Sequence, residues 1–117
     1  MSPHNQQIGA WGEGVAVDYL IKGGFEIVAR NIRTPYGEID ILASKGDVFV
    51  FVEVKTLTSS GNFLPEHKIT PRKRETMLSA ASYHAAENGI DHWQIDVIAI
   101  EGKPPGRPVV THFENAV

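Results

Sequence analysis

The sequence predicts an α/β fold in which a mixed β-sheet is flanked by helices. Two segments have apolar residues at helical spacing, one over residues 5–22 and one that begins at Thr70-Pro71. The runs between and after them are short and rich in Ile, Val and Phe, which is typical of strands. The resulting order, α, β, β, β, α, β and a short final β, indicates a mixed sheet.

Length and composition predict one soluble domain spanning residues 1–117. Hydrophobic residues make up 42% of the chain and charged residues 21%, which is ordinary for a globular protein. The absence of cysteine excludes disulfides, thiolate metal sites and a cysteine nucleophile. No apolar run approaches the roughly 20 residues that span a bilayer, and the start lacks a signal-peptide pattern, so we expect a cytoplasmic protein.

The first helix and first strand follow from spacing and stop signals. An apolar stripe predicts the helix face that packs on the sheet, and Gly23-Gly24 ends the helix. Phe25 to Arg30 reads as the first strand. The stripe consists of Ile8, Trp11, Val15 and Tyr19.

A hairpin is predicted over residues 37–42 and 48–55, joined by turn residues in Ser44-Lys45-Gly46-Asp47. Because side chains alternate along a strand, Val48, Val50, Val52 and Val54 share one face. The other face changes from aromatic to charged, with Phe49, Phe51, Glu53 and Lys55.

The second half of the chain is predicted from similar signals. Residues 56–69 are predicted to form a loop, with Ser59-Ser60-Gly61-Asn62 as its mobile part. Thr70 is the expected N-cap of the second helix, which ends at Asn88-Gly89. Strands are expected at Trp93 to Ile100 and at Val109 to Phe113.

Acidic residues on the hairpin predict a metal site. One register places Glu38 opposite Glu53, and a register shifted by two places Asp40 there. Opposed carboxylates destabilise a sheet and take up a proton unless a cation compensates them. Asp40 and Glu53, with the Val54 carbonyl, are therefore candidate ligands of Mg²⁺ or Mn²⁺; the alternatives are a solvated strand residue and a salt bridge.

Lys55 lies two residues beyond Glu53, roughly 6.5–7 Å along the same strand face. That spacing allows both side chains to act on one phosphate, where an ammonium group positions the attacking water and offsets developing charge. The plainer alternative is an ion pair with Glu53 or Asp40.

The net charge of −3 argues mildly against a general nucleic-acid binder, although most of the eleven basic residues lie between Arg30 and Arg74. Arg72 and Lys73 occupy the first turn of the second helix, where cations oppose the helix dipole. Phosphate binding explains them, and solvated surface charge is the alternative. Arg33 is a third candidate contact to nucleic acid.

These residues resemble the restriction-endonuclease fold, with its αβββαβ core and PD-(D/E)xK nuclease motif. More closely, the chain is similar to the small bacterial YraN-like family, whose members are predicted nucleases. The matching blocks are Gly12-Glu13, Ala29-Arg30-Asn31-Ile32-Arg33, Gly37-Glu38-Ile39-Asp40, Phe51-Val52-Glu53-Val54-Lys55-Thr56, Lys73, Ile95-Asp96-Val97 and His112-Phe113-Glu114-Asn115-Ala116.

The resemblance implies a metal-dependent DNA endonuclease that leaves 5′-phosphate ends, on branched or damaged DNA, with a homodimer as the way to address two strands. It also implies that Glu13 reaches the site to bind metal-bound water or a second ion, against the alternative of an exposed carboxylate near the helix N-terminus. Leu57 departs from the family's usual Arg, and Gly37-Glu38 replaces the proline of the motif. The loss of a cation at residue 57 is expected either to weaken the contact with phosphate or to shift that contact onto Lys73 or Arg72.

Other interpretations stay open. A catalytically inactive nucleic-acid-binding module of the same fold is the main alternative, and an RNase or nucleotide phosphohydrolase is a third. Glu38 is interpreted as a structural partner of Arg33, with an additional metal ligand as the alternative, and Asp96 is interpreted as structural and not catalytic. The five histidines show no zinc-ligand spacing, and Trp11 and Trp93 are expected in the core.

Overall fold

The computed structural model describes residues 3–57, 69–102 and 104–117, and within them the elements follow the predicted αβββαβ order with a short final strand. The strands form one sheet in the order β1-β2-β3-β4-β5. Strands β3 and β4 are parallel and the other neighbouring pairs are antiparallel, so the predicted mixed sheet is confirmed. The elements are α1 (Pro3–Lys22), β1 (Glu26–Thr34), β2 (Gly37–Lys45), β3 (Val48–Leu57), α2 (Pro71–Glu87), β4 (Trp93–Glu101) and β5 (Val109–Phe113).

The two helices cover opposite faces of the sheet, and strand alternation decides which side chains meet each helix. Val50 and Val52 of β3 are buried in a cluster with Ala16 and Leu20 of α1. Phe51 is buried in a second cluster, with Met77 and other residues of α2. The alternation predicted for β3 is therefore confirmed.

Helix α1 packs on the sheet through the row Gly12, Ala16 and Leu20, whose first two residues are small, rather than through the predicted stripe. Gly12, Ala16 and Leu20 are buried, whereas Tyr19 is 37% exposed. A Cβ atom at Gly12 would collide with the side chain of Thr56 on β3. The larger residues Trp11 and Val15 pack only partly against the α1-side cluster, because the helix approaches the sheet closely along its small-residue row.

Four strands extend beyond their predicted limits because partner strands supply hydrogen bonds. Strand β2 continues to Lys45, which pairs with Val48, and β4 continues to Glu101, which pairs with Leu57. Strand β1 continues to Thr34, which pairs with Gly37, and β3 continues through Thr56 and Leu57, which pair with β4. The rest of the predicted loop, including Ser59-Ser60-Gly61-Asn62, lies outside the described residues.

The ends of helix α2 match the sequence signals. The hydroxyl of Thr70 accepts a hydrogen bond from the backbone N–H of Lys73 at 3.1 Å, and Pro71 occupies the first helical position. Asn88 is the C-cap and Gly89 follows with a φ of 64°, a conformation that glycine adopts without strain. This cap places Lys73 in the first turn of the helix, one turn before buried Met77.

Within the described residues, none of the helices has the length and apolar character needed to cross a membrane.

Candidate metal and phosphate site

The hairpin register brings Asp40 beside Glu53. Lys45 pairs with Val48, and the ladder between β2 and β3 runs to the pair Ile41 and Val52 and then ends. Asp40 and Glu53 are the next residues of the two strands, so they flank the point where the strands separate. Of the two registers considered from the sequence, the structure has the one that places Asp40, and not Glu38, next to Glu53.

The side chain of Asp40 binds the backbone of β3 beyond the last residue pair that β2 and β3 form. Its Oδ2 accepts a hydrogen bond from the N–H of Val54 at 2.8 Å. Burial, and then the charges of Glu53 and Glu13, raise the pKa of Asp40 to about 7, against the opposing effects of the Val54 N–H and Lys73. In the absence of a further cation, this carboxyl is partly protonated at neutral pH.

Glu53 is half-buried, and burial raises its pKa, while Lys73 and then Lys55 oppose that rise. The Nζ of Lys73 lies 3.3 Å from Oε2 of Glu53. A cavity of about 50 Å³ lies behind this pair, with Phe51, Met77 and other apolar residues in its wall. Lys73, predicted to bind phosphate, thus meets the carboxylate that is predicted to bind metal.

Glu13 approaches the site from α1. Its Oε1 accepts hydrogen bonds from Nε and Nη2 of Arg30, at 3.2 and 3.0 Å, and from Nδ2 of Asn31 at 3.2 Å. The side chain is only 15% exposed, so the alternative of an exposed helix carboxylate does not describe it. Since its charge raises the pKa of Asp40, Glu13 belongs to the same electrostatic site.

Asn31 has a backbone conformation that is unusual for a non-glycine residue, with a φ of 53°. The alternation of β1 breaks there, since Arg30 and Asn31 are both exposed. On the paired strand, Ile39 packs in the α2-side cluster and Ile41 in the α1-side cluster, so the change of face occurs at Asp40. Sequence reasoning included Asn31 in a motif but gave no reason to expect this kink.

The remaining predicted phosphate contacts lie outside this pair of carboxylates. Arg33 is 92% exposed, and its Nε is 4.0 Å from Oε2 of Glu38, the partner that we expected for Glu38. Arg72 is exposed at the start of α2, beside Lys73. The structure therefore places Asp40, Glu53, Lys55, Lys73 and Glu13 around one region, with Arg33 and Arg72 on exposed surface.

Asp96 forms a second polar cluster, on β4. It is fully buried, and its carboxylate contacts Nε2 of His112 at 2.7 Å, the backbone N–H of Asn115 at 2.8 Å and Nε2 of Gln94 at 2.9 Å. Burial alone would raise the pKa of Asp96, but these hydrogen bonds together hold it below its usual value. Potential ligand atoms of Asp96, His112 and Glu114 lie within 4.8 Å of one another. Histidine spacing along the sequence missed this group because it forms between β4 and β5.

Comparison with known proteins agrees with the YraN-like resemblance. The model of "Uncharacterised protein family UPF0102" matches residues 12–100. A UPF0102 protein of Syntrophotalea carbinolica is 37% identical over 99% of this chain and 95% of its own length. One of Rhodococcus jostii is 39% identical over 97% of this chain and 98% of its own length.

Among solved structures, SfsA of Pyrococcus furiosus in complex with Ca²⁺ has a TM-score of 0.38 and 14% identity over 95% of this chain and 63% of that one. A likeness of this size is too low to support a conclusion about fold or ligand. The sequence matches, in contrast, cover nearly the whole chain, and the chain belongs to the UPF0102 family.

Proposed function

We propose that the protein is a metal-dependent endonuclease that hydrolyses phosphodiester bonds in DNA. The observation that supports this most strongly is the position of Asp40 and Glu53, two half-buried carboxylates at the point where β2 and β3 separate. Lys55 follows Glu53 by two residues on the same strand face. Carboxylates and a lysine in this arrangement suit the binding of a cation and a phosphate together.

The donor set fits Mg²⁺ or Mn²⁺. These ions prefer oxygen ligands, and Asp40, Glu53 and the Val54 carbonyl offer only oxygen. Burial raises the pKa of both acids, and a bound cation would offset that effect by favouring the ionised carboxylates. When bound, such an ion supplies a water of lowered pKa and positive charge close to the scissile phosphate.

Lys55 is the proposed catalytic lysine. Its ammonium group orients the attacking water and stabilises the negative charge that grows on the phosphate oxygens. Its charge already acts on Glu53, since it lowers the pKa of that carboxyl. In the same scheme Glu13 would help to hold the hydrated ion or a second ion, and the hydrogen bonds from Arg30 and Asn31 keep its carboxylate in place.

The substrate would approach along the exposed side of the site. Lys73, Arg72 and Arg33 supply the phosphate contacts, and Lys73 compensates for the missing arginine at Leu57. We propose branched or damaged DNA as the substrate, because a protein of 117 residues offers little surface for reading a long sequence. A homodimer would address the two strands with one site each.

A catalytically inactive nucleic-acid-binding module is the second candidate. The ion pair between Lys73 and Glu53 favours it, because a cation already neutralises one of the two acids. In that case the carboxylates stabilise a basic surface and perform no hydrolysis. The net charge of −3 and Leu57 agree with weak phosphate binding.

Cleavage assays separate the two candidates. Supercoiled plasmid and a four-way DNA junction are incubated with the protein in Mg²⁺, in Mn²⁺ or in EDTA, and the products are resolved on gels. The variants are Asp40→Asn and Lys55→Ala. Asp47→Asn, in the exposed turn at the far end of the hairpin, is the matched control for loss of an acid.

We expect metal-dependent nicking or junction cleavage by the wild type and by Asp47→Asn, and a loss of at least about 100-fold in Asp40→Asn and Lys55→Ala. Cleavage that survives in either site variant refutes the assigned mechanism. A gel shift without cleavage in any metal supports the binding module. An RNA and a nucleotide substrate in the same panel expose an RNase or a phosphohydrolase.

A further inference from the structure

A group of nitrogen and oxygen donors lies between β4 and β5, away from Asp40 and Glu53. Asp96 is on β4, His112 is on β5 and Glu114 follows β5 directly. One ligand atom from each of the three lies within 4.8 Å of the other two. We propose that Asp96, His112 and Glu114 form a second divalent-metal site, which selects Zn²⁺ over Mg²⁺. This inference does not depend on the proposed nuclease activity.

The orientation of Asp96 is fixed before any ion binds. Its Oδ1 accepts hydrogen bonds from the backbone N–H of Asn115 and from Gln94, which leaves Oδ2 directed at His112. The separation of 2.7 Å between Oδ2 and Nε2 of His112 is a hydrogen bond, shorter than the roughly 3.4 Å between two ligands of a tetrahedral Zn²⁺, so an ion that replaced the Nε2 proton would move the imidazole outward while Asp96 stayed in place. A carboxylate that is fully buried and aimed at an imidazole nitrogen is thus available as a rigid ligand.

Tyr19 of α1 controls the other nitrogen of the same ring. Its hydroxyl is 3.1 Å from Nδ1 of His112, and the two rings meet edge to face at 5.5 Å. In the bound state the imidazole carries its proton on Nδ1 and donates it to the Tyr19 oxygen, so Nε2 is free for the ion. An outer hydrogen bond that fixes the tautomer and the ring plane is the usual support of a metal-binding histidine.

Glu114 gives the site access to solvent. It is exposed, and with His112 it lines an open groove of about 480 Å³ at the C-terminal end of α1. Lys22 and Lys45 line the same groove, and their charges weaken the binding of a cation. Lys45 is held by the carbonyl of Gly23 at 2.8 Å and lies over the ring of Phe25.

The donor set decides the metal. An imidazole nitrogen with two carboxylates suits Zn²⁺, whereas Mg²⁺ prefers oxygen alone. The Asp40 and Glu53 region has no histidine among its residues on the described part of the chain, so the two sites differ in the ion that they prefer.

Zn²⁺ binding to the full chain, stripped with EDTA and dialysed, tests the proposal by isothermal titration and by thermal unfolding. We expect wild type and Asp40→Asn to keep one Zn²⁺ site that excess Mg²⁺ does not displace. We expect Glu114→Gln and His112→Gln to bind Zn²⁺ at least about 10-fold more weakly than the wild type. At a Zn²⁺ concentration about 100 times Kd, wild-type Tm should rise by roughly 10 °C, and that of Glu114→Gln much less.

Two controls keep the test decisive. Glu114 is exposed and takes no part in the chain of hydrogen bonds from Asp96 through His112 to Tyr19, so Glu114→Gln leaves the metal-free Tm unchanged if the fold is intact. Lys22→Gln removes a positive charge from the groove and should tighten Zn²⁺ binding. Unchanged Zn²⁺ binding in both Glu114→Gln and His112→Gln overturns the proposal. It is also overturned if the wild type binds inorganic phosphate and not Zn²⁺, and if Lys22→Gln abolishes that phosphate binding.

Discussion

The ammonium group of Lys73, on α2, lies 3.3 Å from the carboxylate of Glu53, on β3. Lys73 is on the first turn of its helix, where the dipole disfavours a cation, and its backbone N–H is held by the N-cap Thr70. The ion pair compensates for that unfavourable position and lowers the pKa of Glu53 against the effect of burial. In the metal-free site, the ammonium group of Lys73 thus supplies the positive charge beside Glu53 that a metal ion would otherwise supply.

Replacing Lys73 should therefore strengthen metal binding while it weakens catalysis. In Lys73→Gln, the Mn²⁺ affinity measured by titration should rise about threefold to tenfold, because a positive charge leaves the vicinity of a proposed ligand. DNA cleavage should fall, because a phosphate contact is lost. Arg74→Gln, the exposed next residue, is the control and should change neither by more than about twofold. Weaker Mn²⁺ binding in Lys73→Gln would contradict the competition between lysine and metal.

The raised pKa of Asp40 predicts a stability that depends on pH. The pKa of Asp40 is 3.8 in the unfolded chain and about 7 in the folded chain, so folding favours the protonated carboxyl. This group costs nothing below the unfolded pKa; its cost grows as pH rises from the unfolded pKa to the folded pKa and stays constant above it. In EDTA, Asp40→Asn should therefore gain about 2 kcal/mol over wild type at about pH 8 and nothing near pH 4.

Urea unfolding at several pH values measures this difference, and the Asn side chain retains an acceptor for the Val54 N–H. Asp47→Asn serves as the control for removing one acid from the surface. Addition of Mg²⁺ should reduce the advantage of the variant, because an ion stabilises only the wild-type carboxylate. An advantage that is constant from acid to alkaline pH would show that Asp40 ionises normally.

Close packing at Gly12 predicts opposite effects for two neighbouring glycines. Gly12→Ala places a methyl group against Thr56 and should lower the free energy of unfolding by about 1–2 kcal/mol. Gly14→Ala meets no heavy atom within 4 Å and should raise it by up to about 1 kcal/mol, because alanine favours the helix. Denaturant unfolding of both variants is the measurement. Equal effects would mean that α1 shifts to accommodate the methyl group.

The conformation of Asn31 separates a backbone role from a side-chain role. Asn31→Gly suits a φ of 53° and should unfold within about 0.5 kcal/mol of wild type, whereas Asn31→Ala should lose about 1–2 kcal/mol. Both variants remove the amide that donates to Glu13, so both should cleave DNA several-fold more slowly. Full activity in a stable Asn31→Gly variant would show that Arg30 alone positions Glu13.

The sequence predicted the elements that depend on local rules. The cap at Thr70, the stop at Gly89 and the alternation of β3 each follow from a few adjacent residues. The pairing of Asp40 with Glu53 was limited to two registers, because a shift by two residues preserves the face of every side chain. The turn selects between them: Gly46 has a φ of 61° at the first of its two central positions, so the turn consists of Gly46 and Asp47.

Features that depend on contacts between distant elements were not predicted. The small-residue face of α1 was missed because the larger apolar residues gave the stronger periodic signal, whereas closeness to Thr56 favours Gly12. The contact between Lys73 and Glu53 joins two described parts of the chain, residues 3–57 and residues 69–102. The cluster of Asp96, His112 and Glu114 likewise depends on strand pairing and on α1 together.

The two-residue turn at Gly46 and Asp47 makes the distant pair Asp40 and Glu53 sensitive to the number of residues in the turn. One additional residue there would reverse the orientation of every side chain on one strand of the hairpin relative to the other. Asp40 and Glu53 would then face opposite helices, although no residue near them had changed. Substitution of the exposed Asp47 is therefore tolerable, whereas loss of the glycine at residue 46 or a change in the number of turn residues is not.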